Sequence, residues 1–160
     1  MRFNILVSPL WRPFLVPFGA TADRSYAELD GGDLVVRFGW FSHRFPLSEI
    51  EGASPSHWSI LAGIGWRTNF RDTIGLIGTY VNVVEVRFKR PQPARMLLPV
   101  KCKRLYISIE EPRDFIGALG EASGVIEGEA REKPPGRAGV RPKARRSTRP
   151  RRRAKPATSA

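Results

Sequence analysis

Residues 81–89 read VNVVEVRFK. Val84, Val86 and Phe88 alternate with Glu85, Arg87 and Lys89, the period of two a strand shows when one face meets a core and the other meets water. Residues 104–110, RLYISIE, repeat the pattern, with Leu105, Ile107 and Ile109 against Tyr106, Ser108 and Glu110. Alternation with one polar face predicts an antiparallel sheet packed on one side.

Working outward, strand after strand follows the same logic. SYAELDGGDLVVRFGWF, residues 25–41, predicts a hairpin bent at Asp30-Gly31-Gly32, where glycine takes positive φ without steric cost. In its second arm Val36, Phe38 and Trp40 are expected on one face, with Val35, Arg37 and Phe41 on the other. SHRFPLSEIEGA, residues 42–53, continues as a strand that Pro46 marks as an edge or a bend. RFNILV, residues 2–7, opens the chain as a strand. The period changes once, in EEPRDFIGALGEA, residues 110–122. Pro112 suits a first helical turn and Asp114 places charge near the positive end of the dipole. Phe115, Ile116 and Leu119 then follow helical spacing, and Gly124 supplies a stop. So narrow an apolar stripe must lie against the open face of the sheet.

Charge divides the chain sharply. Residues 1–127 hold 15 Lys and Arg against 13 Asp and Glu, a net of +2; residues 128–160 hold 12 against 2, a net of +10. The strongly basic character therefore belongs to the end of the chain. That end has no aromatic residue and is rich in Pro, Gly and Arg, a composition that buries too little surface to offset the entropy of ordering. The expected organisation is a β domain over residues 1–124 and a disordered Arg/Pro-rich tail over 125–160. The tail's cations, Arg141, Lys143, Arg145, Arg146, Arg149, Arg151, Arg152, Arg153 and Lys155, predict sequence-independent association with nucleic acid through counterion release. An anionic membrane surface is the alternative partner, and a purely solubilising tail is another.

The lone Cys102 cannot form an internal disulfide, and a half-buried strand position is its expected place. In the apolar N-terminus, Pro9, Pro13 and Pro17 and the charge of Arg12 break any continuous signal core or membrane span. The default expectation is a cytoplasmic protein with no transmembrane segment.

The run PFGATADRSYAELDGGDLVVRFGWFSHRFPLSEIEGA, then GWRTNFRDTIGLIGTYVNVVEVRF, then RLYISIEEPRDFIGALGE, resembles bacterial pleckstrin-homology-like domain proteins of an actinobacterial type, over roughly residues 14–122. The resemblance implies a strongly bent antiparallel sheet, a half-barrel, with its open end closed by the C-terminal helix. It implies no activity, since that fold hosts lipid, peptide and protein binders alike. Phosphoinositide-binding members of the superfamily carry basic residues around the first hairpin. Here that hairpin's loop is acidic, with Glu28, Asp30 and Asp33, and only Arg37 and Arg44 stand nearby.

Catalytic patterns are weak. GIGWRTNFRDTIGLIGT, residues 63–79, has Gly63 and Gly65 but Thr68 where a dinucleotide turn needs a third glycine, and no Gly-Lys-Ser/Thr of a phosphate loop. Its glycines read as turns, bulges or close crossings, with Arg67 and Arg71 facing solvent or pairing with Asp72. His57, between Ser56 and Ser59, shares no face with its immediate neighbour. His43, His57 and Cys102 do not form a metal set, and Glu49 and Glu51 read as exposed strand charges. Arg87, Lys89, Arg90, Arg95, Lys101 and Lys103 flank a proline-rich hairpin, KRPQPAR, and protect a sheet edge. The expectation is a non-enzymatic binding or scaffold protein without cofactor or metal, its β domain recognising a protein or peptide.

Overall fold

In the computed structural model, residues 1–95 and 98–124 are described. Their strands form two sheets. The first holds β1 (Arg2–Asn4), β2 (Ser25–Asp30), β3 (Asp33–Phe38) and β4 (Phe41–Pro46), side by side in chain order and antiparallel. The second holds β5 (Ile50–Ser56), β6 (Gly65–Thr68), β7 (Thr73–Ile77), β8 (Val83–Arg95) and β9 (Pro99–Ser108), in the order β5-β8-β9-β7-β6. Two helices complete these residues: one turn, α1 (Arg12–Leu15), and the C-terminal α2 (Pro112–Ser123).

The mainly β reading and the closing helix hold, while the single bent antiparallel sheet does not. There are two open sheets, and β7 runs parallel to β9, with Ile74 opposite Leu105 and Leu76 opposite Ile107. The cause is connectivity. β8 and β9 pair antiparallel, and the chain reverses between β7 and β8, so a β7 that docks beside β9 must run parallel to it. The crossing is pinned by the Gly78 N–H donating to Ser108 Oγ at 2.9 Å and the Ile109 N–H donating to the Asn82 carbonyl at 2.9 Å. Parallel strands are normally covered on both faces, and Ile74 to Ile77 are all buried, with Trp58 lying over Gly75.

The core lies between the sheets. Leu34, Val36, Phe38 and Phe45 of the first meet Val84, Val86, Phe88, Leu105 and Ile107 of the second in one buried cluster, and the Phe45 and Phe88 rings stand 4.9 Å apart. The β2–β3 bend falls at Gly31-Gly32, φ +58° and +88°, as the sequence predicts. The faces of the next strand need correction. β3 ends at Phe38, which pairs with Phe41 across a turn formed by Gly39 (φ +59°) and Trp40. A glycine in the first central position suits a tight hairpin turn. The turn takes Trp40 out of the Val36–Phe38 face into the open and buries Phe41.

Pro46 is the bend. It ends β4, and a 3-10 turn over Leu47–Glu49 carries the chain to the second sheet. Instead of a hairpin at KRPQPAR, β8 continues through Pro91 and Pro93 to Arg95. β5 accompanies β8 only as far as Phe88, opposite Ile50, so the rest of β8 has β9 alone as neighbour and tolerates proline as an edge does. α2 buries Phe115, Ile116 and Leu119, packs against β5, β8 and the Leu47–Glu49 turn, and stops at a left-handed Gly124. Phe115 meets Phe3 edge-on at 5.3 Å.

Candidate functional site

Between the two sheets, at the end where β3 turns into β4, the N-terminal segment builds a cleft. The Ser8 carbonyl accepts from the N–H groups of Trp11 and Arg12 at 3.0 and 3.2 Å, which starts the single turn of α1. Pro13 fits its first turn, where a missing N–H costs nothing. Leu15 points inward and Phe14 outward. A 3-10 turn over Val16–Phe18 follows and ends at Gly19, φ +75°. Gly19 and Gly39 then pass backbone against backbone. A Cβ on Gly19 would stand 2.9 Å from the Trp40 indole, and one on Gly39 would strike the Phe18 carbonyl. This close pass seats Trp40 beside the N-terminal turn.

The other wall comes from the second sheet. Trp66 of β6 donates its indole N–H to the Phe38 carbonyl at 2.9 Å, tying the end of β3 to β6. Its ring stands 6.2 Å from Trp40 and 6.4 Å from Phe18, and Phe18 is 6.3 Å from Trp40, a three-ring cluster. Trp58 donates to the Gly63 carbonyl at 2.8 Å and holds the loop before β6, while the Tyr80 hydroxyl reaches the Ile60 carbonyl at 3.4 Å. The resulting cleft encloses about 430 Å³ and is lined by Trp11, Phe14, Phe18, Trp66 and Tyr80, with Arg67 as its charged group. The Arg67 side chain lies over Gly63.

The rim of this cleft is apolar and open to solvent. Phe14 and Trp40 are each 67% exposed, Phe18 53%, Ile60 73% and Leu61 99%. Monomeric proteins seldom leave so many large apolar groups together without use.

Other expected features fall elsewhere. In the acidic first hairpin, Arg44 sits 3.6 Å from Asp30 and 3.7 Å from Asp33, so one of its two nearby arginines is engaged by the turn's own carboxylates. Asp72 pairs with neither Arg67 nor Arg71: its partner is Arg104 at 3.1 Å. Glu49 accepts from Arg90 and Gln92 at 3.3 Å each, while Glu51 is exposed. His57 is exposed; His43 packs 4.7 Å from the Phe45 ring, and burial holds its imidazole below the usual histidine range. Cys102 is fully buried, and that burial pushes its thiol up to about 12. Among the described residues no group of three or more His, Cys, Asp or Glu side chains converges, and no helix is long and apolar enough to cross a membrane.

The two faces of the β8–β9 ribbon differ. Ala94 and Val100 face the core, opposite each other, while Arg95, Lys101 and Lys103 are exposed. Lys89 donates to the Ser48 carbonyl at 2.7 Å, part of the seam beside the Leu47–Glu49 turn. The nine tail residues, Arg141 to Lys155, lie outside the described residues, as do all positions from 125 onward.

Sequence reasoning missed the cleft. Its signal was present in two acid-free stretches, residues 4–22 and 52–71, each carrying scattered aromatic and aliphatic residues without a repeating period. Only the fold brings the two together. Compared with protein-family models, curated proteins and solved structures, the chain matches none.

Proposed function

We propose that this chain is a non-enzymatic binding or scaffold protein on a pleckstrin-homology-like body. Its cleft receives an apolar group of a partner, and its basic segment adds sequence-independent association with nucleic acid. The observation that carries the first half is the cleft itself: about 430 Å³, walled by aromatic rings, with one guanidinium among its lining residues. That volume lies within the ~300–1,000 Å³ of ordinary ligand sites, and the lining favours apolar contact over acid–base chemistry. The pleckstrin-homology-like reading is supported by the element order, two stacks of strands followed by a single closing helix. The second half rests on the charge split of +2 against +10.

Titration of the full chain with the apolar dye anilinonaphthalene sulfonate tests the cleft. One dye per chain should bind with blue-shifted emission, and Phe14→Ser, a change at an exposed side chain, should weaken it. Absent or unsaturable dye binding would remove the cleft from the account. Gel shift of the full chain against the variant with all nine tail cations changed to glutamine tests the nucleic-acid half. Equal affinities would leave the segment a solubilising one.

A further inference from the structure

We infer that the rim of the cleft is a membrane-seating face, which lays Phe14, Phe18, Trp40, Ile60 and Leu61 into the interface of an anionic bilayer while Arg12 and Arg67 meet lipid phosphates. The inference rests on the cleft being the recognition site and names the surface it recognises.

Three separate turns present these side chains. Phe14 and Phe18 project from α1 and the 3-10 turn after it, Trp40 from the tip of the β3–β4 turn, Ile60 and Leu61 from a 3-10 turn over Ile60–Ala62. The ring distances join Phe18 and Trp40 through Trp66, and Tyr80, which lines the same cleft, donates to the Ile60 carbonyl and brings the third turn to it. Leu61, almost wholly exposed, contributes nothing to the packing of the body. Aromatic and aliphatic groups standing out from turns, with their backbones satisfied inside the fold, suit the boundary between headgroups and acyl chains.

Charge selects the kind of surface. Residues 4–22 and 52–71, which build most of the face, contain Arg12, Arg67 and Arg71 and no Asp or Glu. An apolar rim built mostly from segments that carry arginine and no acid complements phosphate headgroups, and the net charge of +10 on residues 128–160 favours the same anionic surface. The sequence beyond residue 124 offers such a cleft no aromatic residue and only Val125, Ile126 and Val140 as large apolar groups.

Vesicle flotation of the full chain tests the assignment, with phosphatidylcholine alone and with roughly three parts phosphatidylcholine to one part phosphatidylglycerol. The mixed vesicles should carry the protein and the neutral ones little of it. The double variant Ile60→Ser with Leu61→Ser should lose about tenfold or more in partition, with an unchanged melting temperature. At ~0.5 M salt, where exposed charges are screened, the wild type should keep a bound fraction that the double variant lacks. Brominated acyl chains should quench part of the tryptophan emission of the wild type. Equal partition of the two proteins, or no quenching, overturns the inference by leaving the basic segment as the only contact. Saturable dye binding without any vesicle partition also overturns it, while keeping the cleft for a protein or peptide. Self-association in sedimentation that the double variant abolishes assigns the rim to a second copy of the chain, against the inference.

Discussion

Asn69 organises the β6–β7 turn. Its Oδ1 accepts from the backbone N–H groups of Arg71, Asp72 and Thr73, each at 3.0 Å, and its Nδ2 donates to Asp72 Oδ1 at 2.9 Å. Asn69→Ala strips one acceptor from three donors, and we expect a loss of roughly 1–3 kcal/mol in denaturant unfolding. The same bond to Asn69, then Thr73 and Arg104, holds the Asp72 carboxyl below its ordinary 3.8. A carboxyl depressed by folding adds stability that is present above the unfolded pKa and lost as pH falls below it. The acid-side loss attributable to Asp72 should therefore shrink in Asn69→Ala, seen as a flatter stability curve below about pH 4. At Cys102 the sign reverses. Its thiol rises from 9.0 to about 12, so its contribution is intact below pH 9 and drains away as pH climbs toward 12. Native protein at neutral pH should resist thiol reagents that label it at once in denaturant; prompt labelling of the native state would contradict the burial. At this scale the strand position of Cys102 was legible, its burial being complete rather than the expected half. The partner of Asp72 was not, because Arg104 is 32 residues away and arrives only through the parallel pairing of β7 with β9.

Among the elements, α2 is the clearest case of a local signal surviving into the fold. Its start at Pro112, its stripe of Phe115, Ile116 and Leu119 and its stop at Gly124 are all local chemistry, and tertiary packing only decides where the stripe docks. Phe115 is wholly buried with its edge against Phe3, so Phe115→Ala opens a cavity between helix and first sheet. The expected cost is about 3–5 kcal/mol, read from the midpoint of urea unfolding; a loss under roughly 1 kcal/mol would mean the helix does not close the core. Gly124→Ala should cost on the order of 1 kcal/mol by forcing a side chain into the left-handed region. The second sheet shows the opposite behaviour. Residues 73–77 form a strand, but local sequence says nothing of which neighbour a strand takes or in which direction. Trp40 was misplaced for a related reason. The period of two was carried across Gly39, where a two-residue turn resets it.

For the molecule as a whole, the uneven charge makes a quantitative claim that the fold does not. Nine cations lie between Arg141 and Lys155, and on duplex DNA each phosphate neutralised contributes about −0.9 to the slope of log affinity against log salt. Full engagement would give a slope of roughly −8, with a tenfold weakening for less than a doubling of salt. Changing Arg151, Arg152 and Arg153 together to glutamine should flatten that slope by nearly 3, and do so equally on unrelated duplex sequences. The body would add little to this slope, since residues 1–127 balance 15 cations with 13 anions. The exposed Arg95, Lys101 and Lys103 of the β8–β9 ribbon are the place to look for any excess. Fluorescence anisotropy of labelled duplexes over a series of salt concentrations measures all of this. If the triple variant kept the slope of the parent chain, Arg151, Arg152 and Arg153 would take no part, and changing the other six cations between Arg141 and Lys155 as well would decide between that segment and the folded body, where the ribbon would be the first address.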